Sequence, residues 1–92
     1  MATLQSIPVP NTSFCTRKLS TEMIFLAPQG DRVHSLDEMG SSIWEMVDGD
    51  RNLAEILEKI CGEYEVETSV AEADLLIFMD GLLIKELISF KE

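Results

Sequence analysis

The apolar positions of this chain change their spacing from one region to the next. Residues 1–13 show no period; Pro8 and Pro10, with Asn11, Thr12 and Ser13 after them, predict an extended, loosely held, flexible segment. From residue 14 short β-like runs take over, at 14–19, at 23–27 in the string MIFLA, and at 32–36. Ser20 and Thr21 punctuate the first two, and Pro28, Gln29, Gly30 and Asp31 the second two. The expected element is a three-stranded antiparallel meander, too small to stand without helices packed on it.

Helical spacing follows. Ser35 with Glu38 fits a capping box and Asp37 is the alternative N-cap for a helix over 38–47, with Met39, Ile43, Met46 and Val47 on its apolar side. Asp48 and Gly49 end it, the glycine being free to adopt a left-handed cap. Asn52 with Glu55 opens a second helix whose apolar residues Leu53, Ile56, Leu57, Ile60, Cys61 and Tyr64 fall on one face. A third is expected from Ser69, capped by Glu72, to about residue 85, with a short closing strand over 87–90. The fold class is therefore α+β, a meander followed by three helices. The third helix carries two apolar arcs: Leu75, Phe78, Met79 and Leu82 on one, and Ala73, Leu76, Ile77 and Ile84 on the other, with Asp80 beside the second. Two arcs predict either two partners or a helix that is central in a very small domain.

Length and composition narrow the class. With 92 residues there is room for one core, and 46% hydrophobic against 26% charged residues is a globular balance. No apolar run nears the ~18 residues that span a bilayer, and residues 1–10 lack the basic start and apolar core of a secretory signal. Cys15 and Cys61 are too few and too far apart for a disulfide framework or a zinc site, which suits reduced thiols in a cytoplasm. Seven Lys plus Arg against seventeen Asp plus Glu leave a net charge of −10. That field repels nucleic acid and anionic membrane; it is compatible with a basic peptide or enzyme partner and equally with a charge that serves solubility alone.

Catalytic chemistry is not assembled anywhere along the chain. His34 is the only histidine, neither cysteine has a histidine near it in sequence, and there is no phosphate-binding glycine loop and no GxSxG. Asp48, Asp50 and Glu45 lack the ligand alternation of a calcium loop and read as a solvated turn. Trp44 reads as a core anchor. The chain is expected to be no enzyme, and to hold no metal and no cofactor.

A particular string then becomes informative. Leu36, Asp37, Gly40, Ile43, Trp44, Glu45, Asp48 and Gly49, followed by Leu53, Glu55 and Ile56, resembles the pattern of the PqqD family, as do the later Tyr64, Val70, Asp74, Leu75, Phe78, Leu82 and Leu87. The resemblance spans 15–88; Glu86 departs from it, standing where members often have glycine. It implies a winged helix-turn-helix-like arrangement and a PqqD-like peptide-binding domain over 14–92. Members are recognition elements of pyrroloquinoline quinone, lasso peptide and other ribosomal peptide pathways. They take the leader of a precursor peptide as an added β-strand and present it to a modifying enzyme such as a radical enzyme, a leader protease or a cyclase. Carried onto this chain, the implied edge is Arg32, Val33, His34, Ser35 and Leu36, and the second arc, Ala73, Leu76, Ile77, Asp80 and Ile84, is the expected pocket wall. Two alternatives compete. A DNA-binding winged helix would bring Glu72, Asp74 and Asp80, with only Lys85 as a base, against phosphates of like charge. A structural homodimer would pair the apolar arcs of the third helix across a two-fold axis.

Overall fold

In the computed structural model, which describes residues 2–91, the β-like runs form the expected meander. Strands β2 (Cys15–Leu19), β3 (Glu22–Leu26) and β4 (Val33–Leu36) pair antiparallel in the order β2-β3-β4. Ser20, at φ 57°, occupies the two-residue turn between the first pair, and Gly30, at φ 73°, lies in the connection to β4. Alternation then sorts the side chains. Phe25 and Leu36 turn inward and are buried, whereas Leu26 and Val33 face out. Phe25 is wholly buried and meets Trp44 edge to face at 4.8 Å, which joins the sheet to the first helix.

The helices are α1 (Glu38–Trp44), α2 (Leu53–Glu63) and α3 (Thr68–Ile84). Asp37 is the cap of α1: its carboxylate accepts the Gly40 N–H at 2.8 Å, while Ser35 stays in β4. The helix ends at Trp44 rather than 47, and Met46 and Val47 are buried in the turn that follows, their N–H groups donated to the Ile43 and Trp44 carbonyls. Gly49 takes the left-handed conformation at φ 82°. The Asp48 carboxylate accepts the Arg51 and Asp50 N–H groups at 2.9 Å each, and these bonds hold it below the usual carboxylate range. The acidic cluster thus folds as a turn that leads into α2.

Both halves of the Asn52–Glu55 capping box form, at 2.9 and 3.2 Å. Asn52→Ala should cost about 1 kcal/mol, a melting point lower by roughly 4–8 °C in a domain of this size. Thermal unfolding followed by circular dichroism checks this. In contrast, α3 begins at Thr68 with Glu67 as an N-cap that makes no side-chain bond, so the box expected between Ser69 and Glu72 is absent. Ser69 already lies inside the first turn.

The residues before 14 are a correction to the expected loose segment. Ile7–Pro10 form β1, which pairs antiparallel with β5 (Ile88–Lys91) in a second, two-stranded sheet. Pro8 and Ala2 are buried, and the Leu4 and Ser6 carbonyls accept the Ala54 and Leu53 N–H groups at 2.9 and 3.0 Å. This arm satisfies donors at the start of α2 that the helix itself cannot. Its prolines signal a turn, yet a two-stranded edge tolerates residues without an N–H. The core that results gathers Phe25, Leu53, Ile56, Leu75, Met79, Leu82 and Leu87 between the meander, the helices and the β1–β5 ribbon. Among the described residues no helix is long and apolar enough to cross a membrane.

Candidate functional site

The site starts from unpaired backbone. β4 ends the meander, and the Ala27 N–H to Arg32 carbonyl bond at 3.0 Å fixes which residues face β3. Hydrogen-bonded pairs alternate along an antiparallel ladder, so Phe25/His34 and Met23/Leu36 are bonded pairs of the same kind. Val33 and Ser35 therefore turn their N–H and C=O groups to the open edge. The opposite edge, β2, is exposed throughout and carries Arg17 and Lys18, charges of the kind that blunt an edge against pairing. Val33 and Ser35 carry no such charge.

Beside this open edge lies a cavity of about 610 Å³. Ser35, Leu36 and Asp37 border it on the sheet side; Met39, Gly40 and Ile43 from α1 and Ile60 from α2 form its floor; Ala71, Asp74, Leu75 and Phe78 from α3 form the far wall, with Val66 at the end. Gly40 is there for space. A Cβ at that position would stand 3.2 Å from Asp37 Oδ1 and 3.3 Å from both Leu36 Cβ and Phe78 Cε1, tighter than ordinary contact, so a side chain there would push these neighbours back slightly. The interior is apolar and the rim is acidic: Glu22, Asp37 and Asp74 are all exposed. The ion pairs found among the described residues are Lys18–Glu45, Arg32–Glu86 and Arg51–Asp48, none of which involves those three carboxylates.

The residues expected at a site divide three ways. Ser35 and Leu36 line the cavity. Val33 is on the same edge with its side chain exposed on the outer face; His34 turns inward toward Phe14, with ring centroids 6.2 Å apart; and Arg32 pairs with Glu86 at 3.1 Å. On α3, Leu76 packs against the core, Asp80 accepts the Ala2 N–H at 2.9 Å, and Ala73, Ile77 and Ile84 are exposed on the side away from it, Ile77 and Ile84 at 71% and 81%. The cavity wall is built instead from the flank of the first arc, Ala71, Asp74, Leu75 and Phe78. Periodicity assigns Phe78 to the core with its neighbours; the signal that singles it out is the small residue Gly40, which must face something large.

Comparison with known proteins bears on the fold and the family. The family described as Coenzyme PQQ synthesis protein D (PqqD) matches residues 22–88. Two proteins called PqqA binding protein, from Xanthomonas euvesicatoria pv. vesicatoria (strain 85-10) and Xanthomonas axonopodis pv. citri (strain 306), are each 31% identical over 67 residues, 73% of this chain and 71% of theirs. The solved structure of TbiB1 in complex with the TbiA(beta) leader peptide superposes with a TM-score of 0.80 at 30% identity, over 88% of this chain and 94% of that one. The solution structure of the PqqD truncation of Methylobacterium extorquens PqqCD, described as a functional, stand-alone recognition element, shares the fold with a TM-score of 0.78 at 22% identity, over 97% of this chain and 95% of that one. With a family match over most of its length and relatives of this similarity, the chain belongs to the PqqD family.

Proposed function

We propose that this chain binds the leader of a ribosomally made precursor peptide as a strand added to β4, and holds it for a modifying enzyme. The observation that carries the proposal is the junction of an uncharged, open strand edge with an apolar cavity. The edge offers donors and acceptors to any extended backbone, and the cavity selects alternate side chains. The relatives support it, since two are named for binding PqqA and a third is solved with a leader peptide.

In this reading the backbone half of the site is residues 32–36, and the helical half is Ala71, Asp74, Leu75 and Phe78. A peptide residue opposite Leu36 faces the cavity, and its neighbour opposite Ser35 faces the outer surface with Val33. Ala73, Ile77 and Ile84 stay uncovered on the outward side of α3, open to the enzyme that receives the peptide. The groove's lining, apolar inside with backbone amides, a hydroxyl and carboxylates at its border, suits binding of an extended peptide.

Ser35→Pro tests the strand addition directly, because it removes one outward N–H and no bond of the β3–β4 ladder, and edge strands tolerate proline. Peptides selected on the purified chain from a displayed library of random linear sequences serve as probes. The variant should stay folded and lose about tenfold or more in affinity, whereas Ser35→Ala should bind as the parent does. Full affinity in the proline variant would show that the peptide does not pair with β4.

A further inference from the structure

The groove's charge and register point to a more specific ligand, and we infer that it takes leaders in which a large apolar residue is followed, within two positions toward the α1 end of β4, by Lys or Arg. This rests on the strand-addition reading above. Its own observations are the cavity's lining and the geometry of its rim.

The lining is apolar over Leu36, Ile43, Leu75 and Phe78, and it includes no Lys or Arg. A volume of about 610 Å³ is within the range of small-ligand pockets and accommodates a Leu, Phe or Tyr side chain. The residue paired opposite Leu36 is the one whose side chain enters.

The rim adds the second requirement. Met23 pairs with Leu36, and the residues that follow on either side, Glu22 on β3 and Asp37 at the start of α1, both border the cavity. Asp74 stands on the facing wall, on the α3 flank shared with Phe78. Asp37 uses Oδ1 to cap α1, which leaves Oδ2 free of a hydrogen bond among the described residues; neither Glu22 nor Asp74 has a cation as a partner there. Three carboxylates thus border the same cavity, two where β4 gives way to α1 and one on the wall facing it. A cation there gains attraction from all three and relieves their mutual repulsion; a Glu there would meet three like charges. The chain's net charge of −10 acts in the same direction at longer range.

The experiment is a selection from a displayed library of random linear peptides on the purified chain, on a Glu22→Lys/Asp74→Lys variant and on a Phe78→Asp variant. Asp37 is left intact because it caps α1. Peptides recovered on the parent should share an apolar residue with Lys or Arg within two positions. Replacing that base by Glu in a recovered peptide should weaken binding by about tenfold at low salt and by less at high salt. The charge-reversed variant should keep the apolar residue and exchange the base for Asp or Glu. Recovery on the parent of apolar peptides without a nearby base, lost on Phe78→Asp, would overturn this inference and leave strand addition standing. Peptides that bind the parent and Phe78→Asp alike would overturn the cavity as the anchor's seat and this inference with it, whereas full affinity in Ser35→Pro is the separate result that would overturn strand addition.

Discussion

Phe25→Ala should unfold the domain or bring it to the edge of unfolding at room temperature. The ring is wholly buried, it is an inward residue of the middle strand, and it meets Trp44 edge to face at 4.8 Å. Truncating such a ring costs about 3–5 kcal/mol, the lost burial being compounded by a void that Trp44 and Leu36 cannot close. Domains as small as this have only about 5–15 kcal/mol in total, and usually the lower part of that range. The measurement is denaturant unfolding followed by Trp44 fluorescence. A midpoint within error of the parent would mean that the sheet is not held on α1 through this contact. Trp44 itself is only partly buried, so its truncation should cost less.

Phe78→Asp should abolish peptide binding while leaving a folded protein. Phe78 forms the wall of the cavity and is partly buried, so a carboxylate at that position reaches water yet sits where an apolar side chain must seat. Anchoring positions at the centre of an interface commonly carry 2 kcal/mol or more, about 30-fold in affinity, and the new charge adds desolvation to that loss. Titration of the selected peptides, with circular dichroism as the check on folding, separates the outcomes. Unchanged affinity would move the anchor away from α3. Ile77→Asp and Ile84→Asp, on the outward side of the same helix, are the matched controls and should bind as the parent does.

The contrast between Phe78 and Ile77 shows what the residue pattern discloses and what it conceals. The meander, the order of three helices and the Asn52–Glu55 cap are legible, because each is set by residues near one another in the chain. Two apolar arcs on α3 are legible too. Which arc faces the cavity is not, since it depends on how α3 is rotated against α2 and β5, the elements it packs on, and this is a matter of tertiary packing rather than of spacing along one helix. Ile77 and Ile84 are exposed and stand outside the cavity's lining. The acidic rim escapes the pattern for the same reason: Glu22, Asp37 and Asp74 lie on three elements. Pro8 and Pro10 conceal β1, whose partner is more than 70 residues away.

That distance between β1 and β5 has a consequence for how the protein comes off the ribosome. Ile7 pairs with Lys91, so the first strand has no partner until nearly all of the intervening chain has been synthesised. Until then the amides of Leu53 and Ala54 can take carbonyls from the arm, but the arm has no ribbon to lock it there. Pairing of the two ends is thus a late step that orders the arm and buries Pro8 and Ile88 together. The nascent domain should therefore hold its meander and helices early, and become resistant to proteases only once β5 has cleared the exit tunnel.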